Sequence, residues 1–459
     1  MARVYAQSIT GKFRGIKNWA AFCLLAIYFL SSWLRWDRGL NMPNQAILMD
    51  LPNRKAYLFA IQIWPEEAYY LAALLMLGAM GLFFVTSLYG RIWCGYTCPH
   101  TVFVDLFIKV EHYFQGDRNA RMKLDQSPWD HEKRKKKGLT YLCWLGIAFG
   151  FAFGWVCYFY DAPTLVKDIV SLSVTSGGLS WLLGLTASTF LFAGYVREQV
   201  CTYMCPYGRF QSVMLDNDSS IVTYHTWRGE PRGNYNPQNR ELGDCIDCGK
   251  CVVVCPMGID IREGMQLSCI GCGLCVDACN SVMGKLNRPL NLIGYDSVNS
   301  IEIKKKGELY KRKIFKLKNI IFAKVFFIVC SLVLYALLNK PLYSIAILKD
   351  RGALFTILPS GEIRNTYQLK LSNRTSFEED FILSVAGLND AEIKVEGLTE
   401  SYAQNFSFTL KAEEEQEFKV YIKTHEVSNV SQDKIFFELK EQKSDKTISK
   451  ETTFIFGNN

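Results

Sequence analysis

Between Cys245 and Cys279 the chain spells C-x2-C-x2-C-x3-C twice in succession, as CIDCGKCVVVC and CIGCGLCVDAC. No other feature restricts the fold as much. Two-residue gaps bring three thiols into one tight turn, and such a run cannot wrap the fourth corner of a cube. In ferredoxins that carry two [4Fe-4S] clusters, the fourth Cys of each run crosses to the other cluster. Cys245, Cys248, Cys251 and Cys279 are therefore assigned to one cluster, and Cys269, Cys272, Cys275 and Cys255 to the other. Pro256 follows Cys255 as the motif expects, whereas Asn280 stands where a second proline would. Zinc is the competing reading, since C-x2-C pairs also bind it tetrahedrally. Zinc has no need of the third and fourth thiols at these intervals.

All sixteen cysteines lie between Cys23 and Cys330, and the last 129 residues have none, which excludes a disulfide framework spread over the chain. Four more form a second constellation. YGRIWCGYTCPH (89–100) and YVREQVCTYMCPY (195–207) share a Tyr, an Arg two residues on, and C-x3-C-P, giving Cys94 and Cys98 in one and Cys201 and Cys205 in the other. Read as helical, each pair presents both sulfurs on one face. Two facing pairs make a four-thiolate site for a third iron–sulfur cluster, copper(I) or zinc. The plain alternative is four small residues packed at helix ends. Cys23, Cys143, Cys157 and Cys330 sit singly in apolar stretches and read as packing. So do Met204, Met214 and Met257. Among His100, His112, His131 and His225, only His100 adjoins a cysteine motif.

Five apolar stretches approach the roughly 20 residues that cross a bilayer: 19–34, 68–89, 139–160, 179–196 and 319–338. Trp19, Trp33 and Trp36 flank the first as interfacial aromatics would, and Lys324 in the fifth has a stem long enough to snorkel. Residues 1–18 carry four basic and no acidic side chains, 91–138 ten against six, and 197–318 seventeen against thirteen; the alternate segments are net acidic. Positive charge stays cytoplasmic. The amino terminus and both cysteine-bearing segments are thus expected inside, and the carboxy-terminal segment outside. The net charge of +8 becomes a topology signal, and a nucleic-acid partner is not expected. The first stretch lacks a small-residue cleavage site and is read as retained.

From Ala353 onward, runs such as TYQLKLS, AEIKVEG, EFKVYIKT and KIFFELKE alternate apolar and polar residues, the period of an antiparallel sandwich. The expected architecture is a multidomain membrane protein. Residues 1–200 hold the tail and four transmembrane helices. Residues 201–318 form a cytoplasmic segment with a two-cluster ferredoxin-like domain at about 240–290. A fifth helix spans 319–338, and an all-β immunoglobulin-like sandwich occupies 339–459.

GRIWCGYTCPHTVFVDLF, CTYMCPYGRFQ, CIDCGKCVVVCPMGIDIREG, SCIGCGLC and AILMDLPNRKAYLFAIQIWPEE together resemble the FixG/CcoG family of cytochrome c oxidase accessory proteins. The resemblance implies an inner-membrane protein with two [4Fe-4S] clusters, needed to mature the cbb-type oxidase, with cupric reductase activity and an immunoglobulin-like tail. It implies copper chaperones and oxidase assembly proteins as partners. The residues themselves support one-electron transfer, with Cu(II) as acceptor near Cys94, Cys98, Cys201 and Cys205, because Cu(I) is the form thiolates hold. The cytoplasmic donor is not identified by the sequence, and no G-x-G-x-x-G marks a nicotinamide site. Two other readings stand beside this one. One is a quinol-linked conduit like the membrane ferredoxins of nitrate and nitrous oxide reduction, and the other a redox-sensing assembly scaffold.

Overall fold

The computed structural model describes residues 3–39, 42–234, 242–308, 310, 317–349, 355–375, 377–399, 401–412, 414–425, 432–442 and 447–456. Ala353, where the alternating runs begin, lies outside them. The chain divides into two compact units, one of residues 1–37 and 43–335, the other of residues 38–42 and 336–459.

The first unit is built on helices. In chain order they are α1 (Lys12–Ser31), α2 (Ala68–Tyr89), α3 (Ile92–Tyr96), α4 (Pro99–Gln115), α5 (Arg118–Gln126), α6 (His131–Val156), α7 (Ala162–Val170) and α8 (Ser176–Leu191). After them come α9 (Pro206–Met214), α10 (Thr226–Gly229), α11 (Lys250–Val253), α12 (Leu274–Lys285), α13 (Val298–Lys305) and α14 (Leu317–Leu338). Among the described residues, five helices are long and apolar enough to cross a membrane: Lys12–Ser31, Pro65–Tyr89, His131–Val156, Ser176–Val196 and Asn319–Leu338.

Two of these start more than a helical turn before the expected residue. The first helix begins at Lys12 rather than at Trp19 and stops at Ser31, leaving Trp33 and Trp36 beyond its end. Basic side chains are good helix formers, and the carboxylate of Asp277 accepts from the N–H groups of Phe13 (3.2 Å) and Arg14 (2.8 Å), satisfying the helix start. The third begins at His131 rather than Leu139, because Asp130 caps it through Lys133 N (2.7 Å), and it ends at Val156.

Small residues let α6 seat closely against its neighbours. Ala148 and Ala152 are fully buried, and Trp144 stacks on Phe107 at 5.1 Å between ring centroids. The segment between the first two apolar helices folds as a three-stranded antiparallel sheet of β1 (Ile47–Asp50), β2 (Lys55–Leu58) and β3 (Ile61–Ile63).

The ferredoxin-like part reaches beyond 240–290. Strand β4 (Ile221–Tyr224) pairs antiparallel with β5 (Ile293–Asp296), Ile221 opposite Asp296 and Tyr224 opposite Ile293. Val222, Ile261, Val276, Met283 and Leu292 form its core.

The second unit holds a two-sheet sandwich of β6 (Tyr343–Lys349), β7 (Thr356–Ile357), β8 (Ile363–Asn373), β9 (Glu379–Ala386), β10 (Glu392–Val395), β11 (Asn405–Leu410), β12 (Glu415–Thr424), β13 (Gln432–Glu441) and β14 (Thr447–Ile455). One sheet runs β10-β12-β8-β6 with β7 beside β8, and the other β11-β9-β13-β14. Alternation does what the sequence predicts: Phe418, Val420 and Ile422 on β12 and Ile435, Phe437 and Leu439 on β13 point inward. The phenol of Tyr367 donates to Thr453 O (2.9 Å), tying the sheets together.

Candidate iron–sulfur sites and the membrane-edge cysteines

The two cysteine runs adopt one backbone conformation. Asp247 and Gly271, each just before the second Cys, have φ of 55° and 67°; Gly249 and Gly273, just after it, have φ of 64° and 72°. Alternating left-handed residues turn successive N–H groups to the inside of the loop, a concavity that suits an anion. Glycine is needed at 249 and 273, where the chain enters α11 and α12 directly from a left-handed cap. Asp247 holds the same conformation with a side chain anchored by the Arg262 guanidinium.

Each proposed quartet lines its own cavity. Cys245, Cys248, Cys251 and Cys279 surround one of about 370 Å³, open mouth included. Cys255, Cys269, Cys272 and Cys275 share another of about 360 Å³, with Cys251 at its border. The fourth Cys of each run thus lies with the three of the other run. Burial, and after it the neighbouring thiols, push Cys255 and Cys279 up to about 12, and burial pushes Cys269 up to about 11. Cys275 is raised well above its ordinary value, chiefly by burial. A buried quartet of this kind ionises only against compensating positive charge, which a four-iron core supplies. The donor set fits that group. Among the described residues no three His, Cys, Asp or Glu side chains are grouped to hold a metal ion.

The membrane-edge motifs depart from the helical reading. Cys94 and Cys98 do not share a helix face, nor do Cys201 and Cys205. In both motifs the second Cys is extended (φ −61°, ψ 124° at Cys98; φ −76°, ψ 112° at Cys205) and is the cap before a proline that opens α4 or α9. Proline drives its predecessor out of the helical region, so C-x3-C-P breaks the helix between its cysteines. The two breaks are alike. Cys98 N donates to Trp93 O (2.9 Å) and Cys205 N to Val200 O (2.8 Å), each five residues back. Such widened turns concentrate at functional sites.

The two motifs pack against each other, the Arg91 guanidinium of the first reaching Gly208 O (3.2 Å) at the start of α9. Burial raises the Cys94 thiol to about 12, with Cys98 adding to the shift and Cys201 and Cys205 acting more weakly; Cys201 rises similarly, chiefly through burial and then through Cys98 and Cys205. The Cys94 thiol donates to Gln211 Oε1 at 3.4 Å. His100 is committed elsewhere: its Nε2 donates to Arg197 O at 2.9 Å.

The membrane-edge motif also lies against the second quartet. The Tyr96 phenol donates to Cys272 O (2.9 Å), and Arg91 donates to Leu267 O, Cys269 O (3.2 Å) and Gly208 O (3.2 Å). Gly95 leaves no room for a side chain, because a Cβ there would stand 3.0 Å from Cys272 Cα, Gly271 O and Ile270 O. Cys94 joins Cys272, Cys275 and Ile270 in one apolar cluster.

A buried charge network beneath these motifs was missed by the sequence reading. Arg197 grips Glu111 with two bonds (2.7 and 3.1 Å), and Arg121 (2.7 Å) and Arg3 (2.5 Å) complete its shell; Glu111 itself is fully buried. Burial would raise this carboxyl, but Arg197, Arg3 and Arg121 hold it below its ordinary range. Asp105 is similarly ringed by Arg14 (2.7 Å), Lys17 (3.2 Å) and Lys109 (3.5 Å). The available signal was the repeated Tyr-x-Arg: Arg91 and Arg197 are the two arginines that brace the motifs.

A dicluster iron–sulfur protein with apolar helices of membrane-spanning length is the class that this fold and these sites define. Family profiles agree: a 4Fe-4S dicluster domain matches residues 196–298, a 4Fe-4S binding domain 71–116, and the IG-like fold at the C-terminal of FixG 333–457. The chain is 44% identical to protein RdxA of Cereibacter sphaeroides, over 86% of this chain and 84% of that one. It is 38% identical to the nitrogen fixation protein FixG of Rhizobium meliloti, over 92% and 86%. A crystal structure of a FixG-related protein from Vibrio parahaemolyticus matches 25% of this chain and 97% of its own, with 25% identity and a TM-score of 0.22. The chain belongs to the FixG/RdxA family.

Proposed function

We propose that this protein is a membrane-bound electron-transfer protein that reduces Cu(II) to Cu(I) for maturation of a cbb-type oxidase. When bound, two [4Fe-4S] clusters supply one-electron carriers. The chain's own contribution is placement. The eight ferredoxin-type cysteines hold the two cubanes side by side, and Arg91, Gly95 and Tyr96 clamp the second quartet to Cys94, Cys98, Cys201 and Cys205. That clamp is the observation that carries the reading, because it makes the membrane-edge cysteines the next stop for an electron.

Cu(II) is the substrate. It takes one electron, and the soft Cu(I) product suits passage to chaperones and oxidase assembly proteins. The basic segments support an orientation with five spans, the amino terminus and both cysteine regions cytoplasmic, and the sandwich periplasmic in a bacterial inner membrane. The sandwich carries no cysteine and is read as a binding or assembly module.

One observation favours a quinol-linked conduit instead. A cavity of about 500 Å³, mouth included, opens between Tyr89 at the end of α2, Leu215, Met265 and the ligand Cys269. Offering the pre-reduced protein Cu(II) or a short-chain quinone under anaerobic conditions separates the two. The proposal requires re-oxidation by Cu(II) with trapped Cu(I) appearing in step; discharge into the quinone alone would replace it with the conduit.

A further inference from the structure

The match to a 4Fe-4S binding domain covers residues 71–116, yet this segment contains just two cysteines, Cys94 and Cys98. A cubane requires four ligands. The missing pair comes from the motif packed against them: the Cys94 thiol reaches Gln211 Oε1 (3.4 Å) and Arg91 reaches Gly208 O (3.2 Å), both on the helix that Cys205 caps. We infer that Cys94, Cys98, Cys201 and Cys205 together ligate a third [4Fe-4S] cluster, a resident group at the membrane edge rather than a copper-binding site. The inference deepens the electron-transfer reading and rests on it only for the cluster's role.

Two features of this chain favour a cubane over a single ion. The first is symmetry. Both cysteine pairs come from the same broken-helix turn, closed by the same five-residue hydrogen bond, so the two motifs offer equivalent pairs of thiols, as the four like corners of a cube require. The second is charge. Cys98 and Cys205 cap the starts of α4, 17 residues long, and α9, 9 residues long. Four thiolates on a cubane leave a net anion, which a helix start at one Cys of each pair stabilises.

The place also fits. A cavity of about 340 Å³, mouth included, is lined by Cys201 together with Pro256, Met257 and Ile270, residues that adjoin the second quartet in sequence, and Tyr96 bonds directly to the backbone of Cys272. A carrier held here accepts one electron from the second quartet's side and gives one to Cu(II), so each Cu(I) formed is balanced by one electron lost from the protein.

The test is a count on the full-length protein, purified in detergent without oxygen and without added copper. Iron and acid-labile sulfide should each come to about twelve per chain, four for each cubane, and double integration of the fully reduced EPR spectrum should approach three spins. The double variant Cys94→Ser/Cys201→Ser should fall to about eight irons while keeping the signals of the ferredoxin pair. About eight irons in the wild type, with two spins, overturns the inference even if the variant does not fold, and so does one copper or zinc in place of the last four irons. Twelve irons without Cu(II) reduction would sink the proposed substrate and leave the third cluster standing; Cu(I) formation with eight irons would do the reverse.

Discussion

The phenol of Tyr96 donates a 2.9 Å hydrogen bond to the carbonyl of Cys272, so a residue inside one C-x3-C-P motif touches the backbone of a ligand in the second cubane run. Tyr295 reinforces the contact, with its hydroxyl 3.2 Å from that of Tyr96 and donating to Gly271 O at 2.6 Å. Tyr96→Phe removes one buried bond and should cost about 1 kcal/mol, with both ferredoxin clusters retained. Its functional mark should be slower cluster re-oxidation by Cu(II), read by stopped-flow bleaching; an unchanged rate would show that the contact is only structural.

Gly95 sets the closeness of that approach. Three backbone neighbours at 3.0 Å from a would-be Cβ cannot move aside as a flexible side chain would. Gly95→Val should push α3 off the 270–272 loop and cost about 1–3 kcal/mol. The ferredoxin cluster signals should persist while transfer to the acceptor slows by more than in Tyr96→Phe. Equal rates in the two variants would contradict this order.

Glu111 is the sole carboxylate among those described that meets Arg197, Arg121 and Arg3 together. Glu111→Gln keeps the volume and removes the charge, leaving buried arginines uncompensated. A loss of about 3–5 kcal/mol is expected, visible as a lowered melting temperature in detergent and as poor iron loading. A shift of under a degree would mean that water already screens the cluster.

Acid should loosen the neighbouring network as well. Burial alone would raise the Asp105 carboxyl, but Lys17, Arg14 and Lys109 hold it at about 2, against 3.8 ordinarily. Because the folded value is the lower one, the stabilisation is complete above about pH 4 and is lost as pH falls toward 2. Melting temperature should therefore decline across that window in the wild type. Asp105→Asn should start lower and lose less of its stability there; parallel pH profiles would refute the assignment.

The sandwich should answer to its own core. Phe437 is fully buried there and meets Tyr367 edge to face at 5.4 Å. Phe437→Ala should cost about 3–5 kcal/mol, with iron content unchanged, because no ferredoxin residue belongs to that core. Iron loss in this variant would show that the two units depend on each other for stability.

What could be read from the chain divides along the range of the interactions concerned. Cysteine intervals and period-two alternation are local, so the cubane runs and the strands of the sandwich were legible at once. The broken helices of Cys94–Cys98 and Cys201–Cys205 were also written locally, in Pro99 and Pro206, but helical spacing was given more weight than the effect of proline on the residue before it. The start of α1 at Lys12 depends on Asp277, more than two hundred residues away, and the Glu111 shell draws on Arg3, Arg121 and Arg197 from separate elements. No pattern along the chain brings such partners together. The pairing of β4 with β5 was missed for the same reason, since each strand is four residues long and the two lie far apart in sequence.

The central claim is that the ferredoxin quartets and the membrane-edge cysteines form one path ending on copper. Its most direct test is a single-turnover experiment without oxygen: reduce the clusters, remove the reductant, add Cu(II) with a Cu(I)-specific chelator, and compare the wild type with Cys201→Ser and Cys205→Ser. The account predicts wild-type bleaching matched electron for electron by Cu(I), and variants whose ferredoxin clusters stay reduced. Variants that bleach and form Cu(I) at the wild-type rate would contradict it, because the electron would then leave without passing the membrane edge.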